Sequence, residues 1–367
     1  MRTYTHEQVY RLALQCAHSL SWRQQQALLE AYGTAEAVLT RMDQGVRDIV
    51  GDKAFDELRG IRNMGARQLL DQLESAGAQM IFREDAEYPA LLREIADPPH
   101  ALFLRGSPAA DERSVAIVGS RRDTRYGRTQ AKKIARELAA AGITVVSGLA
   151  RGIDTAAHEG ALEAGGRTVA VLGNGIDTVY PEENRELARR IVDNGGAVIT
   201  EFPFGAGPLA YHFPIRNRII SGISAALLLI EGHARSGTMI TAGYAADQGR
   251  EVFALPGAVD APGSAAPLAL LRDGAGICTC AQDILVDMGW APKEARTEEI
   301  MLPEARLAAL EGVRRSIAEL MLNEPKSFEE LAGESGIAPE ELSAELTLME
   351  LDGVIEARAG RVYALKL

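Results

Sequence analysis

The chain has 367 residues, 47% of them hydrophobic and 25% charged, with a net charge of −12 and three cysteines. That length exceeds one typical core and calls for two or three domains. No apolar run approaches the roughly 20 residues of a membrane span, and the polar start (Arg2, His6, Glu7, Arg11) lacks a signal-peptide core, so a soluble cytoplasmic protein is expected.

Residues 1–75 read as a small domain of short helices. Val9, Leu12, Ala13 and Cys16 share one face, and Ala27, Leu28, Ala31 and Tyr32 share another. Ile61 to Arg67, followed by an apolar-periodic helix, has the form of a helix-hairpin-helix turn. Such a turn can offer N–H groups to a phosphate or simply turn a helical domain, and a single degenerate copy favours the second. From 78 to 110, Met80-Ile81-Phe82, Tyr88-Pro89, Asp97-Pro98-Pro99 and Leu102-Phe103-Leu104 read as strands and turns leading into a central sheet.

The central region then alternates strand and helix up to about residue 290, the pattern of a doubly wound, mostly parallel sheet in an α/β fold. Val115–Val118 ends at Gly119-Ser120-Arg121, Ile143–Val146 at Ser147-Gly148, Val169–Leu172 at Gly173-Asn174-Gly175, and Ala225–Ile230 near Ser236-Gly237-Thr238. The last helical pieces are expected at Leu268–Leu271 and Ile284–Met288. Residues 291–303, with two prolines and many charges, read as a linker. Residues 304–367 then give helices over about 305–322, 328–334 and 339–351 and a hairpin turning at Ala359-Gly360, which together make a winged helix.

Net negative charge argues at first against nucleic acid. By segment, however, residues 1–110 carry 12 basic and 15 acidic side chains, residues 111–290 carry 18 and 20, and residues 291–367 carry 9 and 16. The acidity therefore concentrates at the C-terminal end and leaves room for a basic groove in the middle. In the winged helix, Glu340, Glu341, Glu345 and Glu350 crowd the third helix, with no Lys or Arg from 328 to 357. Those carboxylates oppose groove reading, and the module reads as a protein-contact or regulatory one.

The strand-end turns carry the chemistry. Small residues let a ligand approach the backbone, and helix N-termini present free N–H groups to an anion. In an open parallel sheet these turns gather outside the carboxyl ends of the strands. Four such turns, with Arg121, Arg151, Arg216, Arg218 and Arg235 near them, point to a polyanion rather than a single phosphate. Asp154 reads equally as a helix cap or a ligand. His158, His212 and His233 are scattered, without metal-ligand spacing, and are expected to be structural. Cys278-Thr279-Cys280 is too closely spaced for the usual zinc pairs, so buried thiols and no metal or cofactor are expected.

These blocks resemble the DprA/Smf family (DNA-processing protein A). The resemblance rests on Gly119-Ser120-Arg121, Ser147 to Asp154, Tyr180-Pro181-Glu182-Glu183-Asn184, Phe213 to Arg218 and Ser236 to Ala242, in order over more than half the chain. It implies an extended Rossmann domain over 78–290 that dimerises and binds single-stranded DNA without sequence preference. It further implies a role in natural transformation, protecting incoming strands and loading RecA onto them. Carried over residue by residue, Arg121 would clamp a phosphate beside Gly119 and Ser120. Main-chain donors around Ser147-Gly148 and Ser236-Gly237-Thr238 would assist, with Arg151 at the adjoining helix start. Arg216 and Arg218 would extend a positive track, unless one pairs internally with Glu201 or Glu231, and Asn217 would bind with them or brace the loop. Phe213 would stack on a base or pack in the core. Where family members often carry a basic residue after Tyr-Pro, this chain has Glu182 and Glu183.

Two enzyme readings compete. A dehydrogenase is disfavoured because the first strand runs into Gly-Ser-Arg-Arg rather than G-x-G-x-x-G. A nucleoside-monophosphate phosphoribohydrolase of the lysine-decarboxylase-like group would need a working Glu where Thr241 stands. A binding protein without catalysis is the expectation.

Overall fold

In the computed structural model of the chain, which describes residues 2–108, 113–234, 236–291, 310, 312–322, 324–351, 354–358 and 360–365, hydroxyl side chains set where the first helices begin. Thr5 and Ser21 form capping boxes with Gln8 and Gln24 at α1 (His6–Gln15) and α2 (Trp22–Tyr32), and Thr34 caps α3 (Ala35–Arg41). α4 (Gln44–Met64) kinks at Gly51, and Gly65 turns the chain into α5 (Ala66–Ser75). Residue 75 is no break in packing. Leu12, Leu28, Leu58 and Leu69 share one core with Met80, Phe82, Phe103 and Leu172 of the sheet region, and Gln15 Nε2 donates to the Glu201 carbonyl at 2.5 Å. The chain divides instead into compact units of 1–285 and 286–367.

The first unit is built on a nine-stranded sheet in the order β1-β2-β6-β5-β4-β3-β7-β8-β9. β1 (Gln79–Phe82) and β2 (Ala101–Gly106) form an antiparallel edge, the lead-in expected from 78–110, and β2 pairs antiparallel with β6 (Ala197–Thr200). The rest is parallel: β3 (Ser114–Val118), β4 (Thr144–Ser147), β5 (Thr168–Val171), β7 (Ala226–Leu229), β8 (Glu251–Ala254) and β9 (Gly276–Ile277). β3 to β7 are buried along their whole length, with apolar centres and hydroxyl residues (Ser114, Thr144, Ser147, Thr168, Thr200) only at their ends, as expected of strands covered by helices on both faces. The chain winds from β3 through β4 to β6 on one side and resumes at β7 on the other, so the winding reverses beside β3. At such a reversal the loops splay and leave a crevice.

Seven helices complete this unit: α7 (Arg125–Ala140), α8 (Ile153–Glu163), α9 (Arg185–Asp193), α10 (His212–Gly222), α11 (Gly237–Asp247), α12 (Ala265–Arg272) and α13 (Ala281–Asp287); a single turn, Ala90–Arg93, is α6. Cys16, Cys278 and Cys280 form no disulfide, and burial raises the first two above their usual pKa.

The second unit contains α14 (Gly312–Leu320), α15 (Phe328–Ser335) and α16 (Pro339–Leu351) with a three-stranded sheet ordered β10 (Lys326–Ser327), β12 (Val362–Leu365), β11 (Ile355–Arg358). Ile317, Leu331, Leu342, Leu346, Met349 and Ile355 form its core, giving the expected winged helix. The expected linker beyond residue 291, the start of the first helix at 305–309, and Ala359 of the hairpin turn lie outside the described residues.

Candidate functional site

The loops that leave β3, β4, β5 and β7 meet at one edge of the sheet, and the Arg121 loop is the most firmly held. The Ile153 N–H donates to the Ser120 carbonyl at 3.2 Å. Gly152, at φ +78°, packs so close that a Cβ there would lie 2.3 Å from that carbonyl oxygen, a position only glycine fills. Ser120 Oγ accepts from the Arg122 N–H at 3.0 Å. Arg121 itself is exposed, with its guanidinium 4.8 Å from the centroid of the Phe213 ring, within cation–π range. Arg121, Arg122 and Arg125 are exposed and have no carboxylate partner among the described residues, whereas Arg128 pairs with Asp123 at 2.7 Å.

Arg121, Gly148, Ala150, Arg151, Tyr180, Pro181 and Phe213 line one open, shallow cleft. Phe213 is half-buried and rests on Gly173, where a Cβ would stand 2.9 Å from its ring. The Gly173-Asn174-Gly175 turn thus serves the aromatic ring. Tyr180 is exposed, with its ring centroid 5.9 Å from that of Phe213 and tilted by 45°. Ala150, Tyr180 and Pro181 were not among the sequence candidates; an aromatic within the Tyr180–Asn184 block was the available signal. Arg151 forms a two-bonded pair with Glu183 at 2.5 and 2.7 Å.

Other candidates face inward. Ser147 is fully buried and its hydroxyl donates to the Ile117 carbonyl. The N–H groups of Gly148 and Ala150 donate to the Asp154 carboxylate at 3.1 and 3.3 Å, so Asp154 braces the loop that precedes α8; it neither faces a ligand nor caps the helix, whose N-cap is Gly152. Arg216 is buried where a Cβ on Gly148 would stand 2.6 Å from its guanidinium, and it donates to the carbonyls of Gly148 (2.7 Å) and Val171. Burial brings its pKa down to about 10 despite Asp154, so it stays cationic at neutral pH. Arg218 is also buried, forked by Glu201 (2.7 and 2.7 Å) and held by Asp97 (2.9 Å). Burial opposes its charge, but the two carboxylates more than offset that and hold its pKa above the usual value.

The expected positive track through Arg216 and Arg218 is therefore corrected. Both side chains are structural cations beneath the edge, and the alternative of an internal pair with Glu201 describes Arg218. Asn217 accepts from Arg216 Nε at 3.3 Å and donates to the Gly237 carbonyl at 3.4 Å, tying α10 to α11.

The polyanion reading of four open turns narrows in the same way. Asp154 fills the turn after β4. Glu231, buried, accepts from the Thr124 N–H at 2.9 Å and from its hydroxyl, filling the start of α7. At Ser236-Gly237-Thr238 the amides of Gly237 and Thr238 have no hydrogen-bond acceptor among the described residues, and nothing lies within 4 Å of a Gly237 Cβ position. The Ser236 and Thr238 hydroxyls bond each other at 2.5 Å. Arg235 lies outside the described residues.

Two motif blocks brace each other beneath the cleft. Leu149 has φ +57°, a conformation that costs a bulky residue energy. Asn184 Nδ2 donates to its carbonyl and to Thr155 Oγ1, both at 2.9 Å.

Below them His158 is fully buried, with Nδ1 2.7 Å from Thr168 Oγ1. The Thr168 hydrogen goes to the Val145 carbonyl, so His158 Nδ1 donates and the ring is neutral. Burial, and secondarily Arg216, lowers its pKa from 6.5 to about 3. The unfolded chain binds this proton first, so stability is full above pH 6.5 and falls as pH drops toward 3. The loss expected from this residue by pH 5 is about 2 kcal/mol. Urea unfolding at pH 7 and 5 should show a shallower pH dependence in His158→Gln. Equal dependence in both proteins would assign the effect elsewhere.

The chain is similar to known proteins along most of its length. Residues 79–289 match the family described as DNA recombination-mediator protein A, and residues 302–361 match the DprA winged helix domain. The chain is 38% identical to Protein Smf of Escherichia coli (strain K12) over 302 residues, 80% of this chain and 79% of that one. It is 41% identical to the DNA processing protein DprA of Streptococcus pneumoniae over 201 residues, 54% of this chain and 71% of that one. Among solved structures, DprA from Streptococcus pneumoniae superposes with a TM-score of 0.63 at 32% identity, covering 78% of this chain and 98% of that one. DNA processing protein A from Helicobacter pylori, whose structure was described for its single-stranded DNA binding mode, superposes with a TM-score of 0.51 at 28% identity, covering 57% and 95%.

Proposed function

The chain belongs to the DprA/Smf family, DNA-processing proteins, and on that premise we propose that it binds single-stranded DNA without sequence preference, as a cytoplasmic homodimer that protects incoming strands and loads RecA onto them in natural transformation. The observation that carries the binding reading is Arg121, an exposed cation with no carboxylate partner among the described residues, set over the Phe213 ring on a loop locked by Gly152. A phosphate needs such an unneutralised cation, and an unstacked base needs an accessible aromatic face. Phe213 and Tyr180 offer that face in the same cleft. The open amides of Gly237 and Thr238 offer the strand a second point of contact.

The hydrolase alternative is weaker. Thr241, where a working Glu would stand, is buried and hydrogen-bonds the Gly237 carbonyl at 3.3 Å. Asp154 and Glu231 are buried and occupied by backbone donors, which leaves neither carboxylate available as a general base.

The winged helix is proposed as a contact or regulatory module. Glu340, Glu341 and Glu350 are exposed on α16, and Glu345 is spent on Arg314 at 2.8 Å. Deleting residues from about 300 onward is expected to leave affinity for labelled oligothymidine within roughly threefold of the full chain, about 0.6 kcal/mol. A loss of tenfold or more on fluorescence anisotropy would place DNA contacts in the deleted segment.

A further inference from the structure

We propose that Glu183 sets the affinity of the cleft by occupying Arg151 in the manner of a strand phosphate, so that a continuous strand, and not an isolated anion, recruits this second arginine. The inference rests on the single-strand reading of the cleft. Arg121 and Arg151 line the same cleft, yet of the two only Arg121 is without a carboxylate partner among the described residues. Arg151 Nε and Nη2 meet Glu183 Oε1 and Oε2 at 2.5 and 2.7 Å, the parallel two-bond fork that a guanidinium also makes with phosphate.

Both side chains are 55% exposed. Water and salt therefore screen the pair, and it is readily exchanged. Arg151 holds the Glu183 carboxyl below its usual pKa, so the competitor remains an anion at neutral pH. It is also delivered from a fixed base. Glu183 lies in the 3-10 turn Glu182–Asn184, and Asn184 is buried and tied to the Leu149 carbonyl and Thr155.

This arrangement discriminates by connectivity. An isolated phosphate must displace Glu183 from bulk solution. In a strand already anchored at Arg121, neighbouring phosphates reach Arg151 at high effective concentration and exchange with the carboxylate. Removing Glu183 then makes full an Arg151–phosphate contact that the wild-type strand holds only part of the time, in competition with the carboxylate.

The test uses the full chain, a labelled oligothymidine and anisotropy across a salt series. Glu183→Gln is expected to tighten binding about 3- to 10-fold at low salt and to steepen the log–log salt slope by up to roughly 0.7, the value for one phosphate on a single strand. Arg151→Ala is expected to cost more in the Glu183→Gln background than in the wild type. Glu182→Gln removes the same charge from a pair with Arg185 instead, and its slope is expected to match the wild type. Unchanged or weaker binding by Glu183→Gln, a gain that survives Arg151→Ala, or an equal gain from Glu182→Gln would each overturn the proposal while leaving the single-strand reading intact. Absence of binding by wild type at every salt concentration would overturn both.

Discussion

Replacing Arg121 with alanine is expected to weaken single-strand binding by on the order of 10- to 100-fold, the 1.5–3 kcal/mol of a charge-assisted hydrogen bond. The loss should be equal across oligonucleotide sequences, because a phosphate contact carries no base information. The log–log salt slope should flatten by about 0.7. Stability should hardly change, since Arg121 is exposed and has no carboxylate partner among the described residues. Arg121→Lys should fall between, retaining the charge but losing the planar group that lies 4.8 Å from the Phe213 ring centroid. Anisotropy with two unrelated sequences at three salt concentrations reads all of these. Unchanged affinity in Arg121→Ala would take the residue out of the interface.

Arg218→Ala is expected to do the opposite, costing about 3–5 kcal/mol of stability with little effect on DNA affinity while the protein stays folded. The side chain is 4% exposed and forked by Glu201, itself 12% exposed, with Asp97 at the rim. Truncation strands the Glu201 carboxylate in a site too dry to hydrate it. The damage should spread, because Gln15 of α1 donates to the Glu201 backbone carbonyl and docks the N-terminal helices there. Urea unfolding measures the loss, and binding below the unfolding transition separates a brace from a ligand. Full stability combined with lost binding would return Arg218 to the DNA surface.

The sheet was legible because its strands carry uninterrupted apolar runs ending in small residues, a pattern that few other structures satisfy. The second and third helices of the winged domain were legible for a related reason: Ser327 caps one and Pro339 opens the other. What the site contains was harder to read. A glycine at a strand end says that something comes close, not what. At Gly148 the close group is the guanidinium of Arg216, and at Gly173 it is the Phe213 ring. The partners that neutralise cations also lie far off in sequence. Glu201 precedes Arg218 by 17 positions, and Glu183 follows Arg151 by 32. The Phe213–Arg218 block gives no helical periodicity from which to orient Arg216 and Arg218, and only the folded positions of Asp154, Glu201 and Asp97 decide that these cations of α10 are sealed in. Arg121 is less ambiguous because it follows the end of a buried strand within three residues and has no carboxylate partner among the described residues.

The most direct measurement is an anisotropy titration of the wild-type chain with a labelled oligothymidine and with a duplex of matched length, from low to near-physiological salt. Phosphate clamping by Arg121 with base stacking on Phe213 and Tyr180 requires single-strand binding that weakens linearly on a log–log salt plot. Duplex binding must be weaker at every concentration, because paired bases are withheld from the rings. Equal affinity for both forms, or single-strand binding that salt does not change, would contradict this assignment of the cleft.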